Sequence, residues 1–194
     1  MFAQLDTKSV YSFMDSVVDL NTYVKRAKEL GYQSIGLMDR DNLYAAYHFA
    51  QLAIRNGLRP LIGTEANLFY EGRKIPFRLL AKNNQGYKNL MKLATELSSG
   101  QREFTYFSDY LNDIALILPS EDWEPGMSLG SEVFIGVRPE DAGKEFDYPV
   151  VPLHTVRYFE NADRSTIQTL HAISQNVSLS EVSICPMNQL LFSA

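Results

Sequence analysis

Between Phe2 and Glu65, short apolar runs take turns with stretches of helical period, and few folds answer to that order. Phe2 to Leu5 reads as a first strand. Asp19 offers its carboxylate as N-cap to a helix over Leu20 to Leu30, which Gly31 closes. The run QSIGLMDRDN, Gln33 to Asn42, carries Ile35, Leu37 and Met38 as a buried strand. Leu43, Tyr47, Ala50 and Ile54 then recur at helical spacing until Asn56-Gly57, and RPLIGTE, Arg59 to Glu65, begins the next strand. Strands alternating with helices through short connections imply an α/β fold with largely parallel strands, closed or nearly closed.

The remainder continues in short elements. Leu61-Ile62 and Ala66 to Tyr70 read as strands, Gly72 as a hairpin turn and Phe77 to Ala81 as the return. Gly86 to Leu97 places Tyr87, Leu90, Leu93, Ala94 and Leu97 on one helical face. Strands are expected at Ile114 to Leu118, Val133 to Val137 and Tyr148 to Pro152. A last helix over Ala162 to Ser174 puts Ile167, Leu170, His171 and Ile173 partly on an apolar stripe. Ser120 to Ser131, with the single tryptophan Trp123, reads as an exposed loop. Phe104, Tyr106, Phe107 and Tyr110 read as packing aromatics rather than a base-stacking surface.

At 194 residues and 45% hydrophobic content the chain can bury one substantial core, so a single domain over 1–194 is expected. The apolar run Gln189 to Ala194, without a polar tail, suggests a piece of a longer polypeptide. A net charge of -5 argues against a domain that grips phosphate backbones unaided. Cys185 is the only cysteine, which excludes an intramolecular disulfide, fits a reducing cytosol, and reads as a small buried residue. No leader and no membrane-length apolar window is evident.

Two carboxylates stand at strand ends, Asp39 and Glu65, where α/β barrels place their chemistry, and both are expected at one barrel mouth. Histidines do not join them in any ligand-like spacing: the chain has only His48, His154 and His171. His154 and His171 read as structural residues.

Five blocks then line up in one order: FAQLDTKSVYSFMDS, YVKRAKELGYQSIGLMDRDN, GLRPLIGTEANL, LLAKNNQGYKNLMKL and VVPLHTVRYFENAD. Together they resemble the PHP (polymerase and histidinol phosphatase) domain at the N-terminus of bacterial replicative DNA polymerase III alpha subunits of the DnaE type. The resemblance runs from Phe2 to about Gln175. It implies a distorted seven-stranded βα barrel, truncated here at its C-terminal end, in which active members hold up to three metals at the strand ends and hydrolyse phosphoesters.

The motif positions depart from that pattern. Where the family has His-x-His after strand one, this chain has Asp6-Thr7-Lys8, and Asp-His-Gly-Asn becomes Asp39-Arg40-Asp41-Asn42. The glutamate of the third motif survives as Glu65, a frequent histidine aligns with Pro76, and a late Asp-x-His becomes Thr155-Val156-Arg157. Ammonium and guanidinium groups cannot ligate a metal, and hydrolysis needs a metal to acidify bound water. Lys8, Arg40 and Arg157 are therefore read as fixed cations standing in for metal charge, with Arg157 expected against Asp39 or Glu65; scattered surface charge is the alternative. If any metal binds, Asp39 and Glu65 are its ligands.

The resemblance thus implies a domain without metal or other cofactor and without activity of its own. It would serve as a structural and subunit-docking module of a cytoplasmic polymerase whose Mg²⁺-dependent nucleotidyltransferase site lies further along the chain. Its partners would be the remaining alpha chain, a proofreading exonuclease or other replisome subunits, and DNA through the parent enzyme, with no membrane. A second reading keeps an Mg²⁺- or Mn²⁺-dependent phosphoesterase or 3′–5′ exonuclease on Asp6, Asp39, Asp41 and Glu65. A third, a metabolic phosphatase of the histidinol phosphatase kind, needs the missing histidines.

Overall fold

The computed structural model describes residues 3–100, 103–130, 132–141 and 143–182. Phe2, Cys185 and the run Gln189 to Ala194 lie outside the described residues. The chain forms two compact units, the first from Met1–Arg40, Tyr44–Leu61 and His154–Ala194, the second from Asp41–Leu43 and Ile62–Leu153. Both are mixed α/β. The elements in chain order are β1 Ala3–Gln4, β2 Asp6–Thr7, α1 Leu20–Glu29, β3 Ser34–Arg40, α2 Ala46–Arg55, β4 Arg59–Tyr70, β5 Arg73–Ala81, α3 Asn84–Ser98, β6 Ile114–Pro119, β7 Val133–Val137, β8 Val150–Pro152, β9 Thr155–Val156 and α4 Asp163–Gln175. The first unit holds the neighbours β1-β3 and the separate pair β2-β9, and the second holds strands in the order β4-β5-β6-β7-β8.

In the first unit β1 runs parallel to β3 and β2 parallel to β9, with Asp6 opposite Thr155. The backbone of β3 passes so close to Leu5 that a Cβ on Gly36 would lie 2.2 Å from the Leu5 carbonyl oxygen, which is why glycine stands there. Asp19 caps α1 by accepting from the Thr22 N–H at 2.9 Å, and Gly31 ends it at φ +78°. This helix buries Leu20, Tyr23, Val24 and Ala27. The buried Tyr23 hydroxyl donates to the Gly36 carbonyl at 2.9 Å and accepts from Thr7 at 3.0 Å, tying helix to strands.

Helix α2 buries Ala46, Phe49 and Ala53, whereas Tyr47 and Ile54, expected on its inner face, are exposed. Apolar residues occur all round this helix, so their period alone does not set its phase. In α4 the expected stripe is likewise rotated: Ile167 and Ala172 are buried and Ile173 is exposed.

In the second unit the two strands expected across Leu61 to Tyr70 are one, β4. It returns antiparallel as β5 through a two-residue turn, Glu71 and Gly72, at φ 50° and 77°, the backbone a tight hairpin with right-handed strand twist requires. β5 also pairs antiparallel with β6, so the expected parallel order gives way here and resumes only at β6-β7 and β7-β8. Asn83 caps α3 by accepting from the Gln85 and Gly86 N–H groups. Leu90 and Leu93 of α3 pack with Phe77, Leu79, Phe104, Phe107, Leu116 and Ile135 in the core. Phe104 to Tyr110 forms a 3₁₀ helix that buries Phe104 and Phe107, and in the Ser120 loop Trp123 packs edge-on against Phe146. Among the described residues no helix is long and apolar enough to cross a membrane.

Candidate functional site

Several motif positions lie in the first unit at the C-terminal ends of parallel strands. Asp39 and Arg40 finish β3, Lys8 follows β2, and Arg157 follows β9. The β2-β9 pairing extends one step further, the Lys8 N–H donating to the Val156 carbonyl at 2.9 Å. Ser16 then staples the two exits, its hydroxyl donating to the Lys8 carbonyl at 2.7 Å and the Arg157 carbonyl at 3.0 Å. Strand pairing thus places residues nearly 150 positions apart in sequence at one end of this unit.

Lys8 is fully buried. Its Nζ lies 2.8 Å from Asp6 Oδ1 and donates to the Met38 carbonyl at 2.6 Å, while Asp6 Oδ2 accepts from the Thr155 hydroxyl at 2.7 Å. Such a pair is tolerated in a dry interior only because each charge finds a partner. Removing one member would strand the other.

Asp39 is buried by a different device. Its Oδ1 accepts from the Ser9 N–H and the Ser12 hydroxyl, and its Oδ2 from the Ser9 hydroxyl, each at 2.7 Å. These short bonds fit a charged acceptor. The Ser12 hydroxyl also accepts from the Arg40 N–H at 3.1 Å.

The two arginines meet at Asp15, a residue that sequence reasoning did not single out, so the expected pairing of Arg157 with Asp39 or Glu65 is replaced by a different partner. Arg157 donates from Nε to Asp15 Oδ1 at 3.0 Å, Arg40 from Nη2 to Oδ2 at 2.9 Å, and His171 Nε2 lies 3.0 Å from Oδ1. Burial raises the Asp15 pKa, but the His171 hydrogen bond and the Arg157 and Arg40 charges outweigh it and hold the group down at about 2. Asp15 sits in a loop without periodicity, and its partners lie 25, 142 and 156 residues away. No local signal could have found it.

In the second unit Glu65 pairs with Arg78, Oε2 to Nη2 at 3.2 Å, both side chains buried. Arg78 also donates to the carbonyl of Pro76, the position aligned with a family histidine, at 2.6 Å. Asp41, at φ 54°, accepts from the Asn67 N–H at 3.2 Å and from its Nδ2 at 3.3 Å. Here a signal existed. A two-residue turn at Glu71-Gly72 sets Glu65 directly opposite Arg78, so counting the hairpin register would have paired them. Of the histidines, His48 is exposed, and the His154 carbonyl accepts from the Gln4 amide at 2.6 Å.

The matched family profile is that of the PHP domain, over residues 4–125. The chain belongs to the PHP domain family. This PHP domain is 45% identical over 193 residues, 98% of its length, to a DNA polymerase III subunit alpha of Streptococcus pyogenes serotype M1, of which it covers 19%. It is 33% identical over 126 residues to a DNA polymerase III subunit alpha of Bacillus subtilis, covering 62% of this chain and 11% of that one. It therefore spans about a fifth of the length of the S. pyogenes relative. A solved structure from Bifidobacterium adolescentis, described as a metal-dependent phosphoesterase, aligns at a TM-score of 0.41 and 18% identity over 48% of this chain and 32% of its own.

Active PHP domains are implied to hold metals at these strand ends, so the donor chemistry decides whether this one fits them. In the first unit an ammonium and a guanidinium occupy positions where imidazoles would stand, and the Asp39 oxygens already accept three hydrogen bonds. Among the described residues no three His, Cys, Asp or Glu side chains are grouped to hold a metal ion. An ammonium and a guanidinium have no lone pair to give a metal ion.

Proposed function

We propose that this PHP domain is the N-terminal part of a bacterial replicative DNA polymerase III alpha subunit, acting there as a non-catalytic structural and docking module. The observation that carries the reading is the ion pair between Lys8 and Asp6, at 2.8 Å with neither side chain exposed. A fixed ammonium lies at a motif position where an active relative would present a metal ligand. With Arg40 and Arg157 on Asp15, it offsets carboxylate charge that a metal would otherwise offset. The domain itself needs no cofactor; Mg²⁺ belongs to the nucleotidyl-transfer site of the longer chain. Its partners are the rest of that chain, a proofreading exonuclease or another replisome subunit, and DNA through the whole enzyme in the cytoplasm.

The test is an assay of the purified chain on a labelled primer and on a generic phosphomonoester, with Mn²⁺ and with Mg²⁺, beside elemental analysis for bound metal. No turnover above the buffer rate and no stoichiometric metal are expected. Metal-dependent turnover abolished by Asp39→Asn would restore the phosphoesterase or exonuclease reading on Asp6, Asp39, Asp41 and Glu65.

A further inference from the structure

The second unit contains a cavity of about 580 Å³ that none of the PHP motif positions lines. We propose that it binds a basic peptide segment of a partner protein, taking in an arginine or lysine side chain with its apolar stem. The cavity opens where β5 ends at Ala81 and where β6 and β7 begin at Ile114 and Val133, Ala81 lying opposite Ile114 in the antiparallel pairing. That is the end of β6 and β7 opposite to the one at which α/β barrels carry out their chemistry. Its volume is that of an ordinary ligand cleft.

The floor is apolar and held in place. Phe104 packs against Phe77, ring centroids 5.2 Å apart, and against Tyr70 at 6.0 Å, while Leu116 and Leu129, both buried, line the same floor. The methylene stem of an arginine or lysine can lie along such a surface while its charged head stays at the rim. Thr105 and Ser108 stand one turn apart on the 3₁₀ helix, where residues three apart eclipse, and with Ser128 they bring hydroxyl acceptors to the rim.

The rim decides the sign of that head. Lys82 and Glu132 cancel as a pair, Nζ to Oε1 at 2.5 Å. The Asp113 carboxylate accepts from the Asn83 amide at 2.9 Å, a neutral donor that leaves its charge in place. Its backbone is fixed as well: the Asp113 carbonyl accepts from the Lys82 N–H at 3.0 Å, and Gly86 packs against the same oxygen. The rim therefore adds a fixed negative charge to its ion pair, in a unit with nine Lys or Arg against fifteen Asp or Glu. An anionic ligand is repelled there, and a guanidinium or ammonium is drawn in. The inference stands independently of the proposed replication role, since it uses only the shape and charge of this cavity.

Titration of the full 194-residue chain with a capped tetrapeptide alternating leucine and arginine, followed by amide NMR shifts and by calorimetry at low ionic strength, tests it. Saturable binding is expected, with shifts centred on Ser108, Asn112 and Leu129, and none with the same peptide carrying glutamate for arginine. Asp113→Asn, whose side chain tolerates the left-handed backbone at φ 61°, should weaken binding about tenfold. Ser108→Trp, at an exposed position, should fill the cavity and abolish binding. Glu145→Gln, exposed and outside the lining, should leave it unchanged. If Ser108→Trp does not fold, Asp113→Asn beside Glu145→Gln still decides. Spermidine bound as tightly as the arginine peptide would overturn the peptide assignment. No saturable binding, equal binding of the glutamate peptide, or equal weakening in Glu145→Gln would overturn the site.

Discussion

Lys8 and Asp6 form an ion pair at 2.8 Å in which neither side chain reaches solvent. The lysine also donates to Met38 and the aspartate accepts from Thr155, so this pair joins β2, β3 and β9 through polar contacts inside the first unit. Lys8→Met would leave the Asp6 charge buried without its cation and should destabilise the chain by about 3 to 5 kcal/mol. Adding Asp6→Asn in the same chain should recover most of the loss. Urea unfolding of the two variants measures both, and a single-variant loss within error would refute the pairing.

The three hydroxyl and amide bonds to Asp39 predict a smaller effect. Ser12→Ala removes a donor from Asp39 and an acceptor from the Arg40 N–H, and a cost of about 1 to 3 kcal/mol is expected. A cost near zero in the same unfolding experiment would show that water replaces the serine.

Asp15 gives a pH dependence with a definite sign. Its folded pKa, about 2, lies below the ordinary 3.8, so the unfolded chain binds its proton more readily. The contribution is fully present above about pH 4 and is lost as pH falls toward 2, about 2 kcal/mol in all. Asp141, also held near 2 by Lys144, Ser120 and the Arg138 N–H, titrates in the same window. The comparison that isolates Asp15 is therefore between the parent and Asp15→Asn, whose acid limb should be shallower. Identical limbs would contradict the cluster.

Gly86 sets helix propensity against packing. Alanine inside a helix is favoured over glycine by about 1 kcal/mol, but a Cβ here would lie 2.1 Å from the Asp113 carbonyl oxygen. Backbone cannot yield as a side chain tip can, so Gly86→Ala should lower the thermal midpoint despite the helical gain. A raised midpoint would mean that α3 can shift away from that carbonyl.

What could be read from the sequence was local. The Asp19 cap, the Gly31 stop and the Gly72 hairpin turn are each written in a few adjacent residues, and the structure has them. The α/β class followed from the alternation of periods. What escaped was set by phase or by distance. Tyr47 and Ile54 keep helical spacing yet face solvent, because Phe49 and Ala53 offer a competing face. Asp15 acquires its meaning only when three distant elements bring Arg40, Arg157 and His171 to it. The PHP motif positions could be located by resemblance, but the partner of each cation required the fold.

The claim that side-chain cations have taken over the role of metal charge is tested most directly by thermal unfolding with and without added divalent metal. A ligand that binds only the folded state must raise its stability by an amount that grows with concentration. With Mn²⁺ or Zn²⁺ at about a hundredfold over a typical site's dissociation constant, a bound ion would add about 2.7 kcal/mol. The account predicts an unmoved midpoint. A midpoint that rises with metal, and no longer rises in Asp39→Asn, would contradict it.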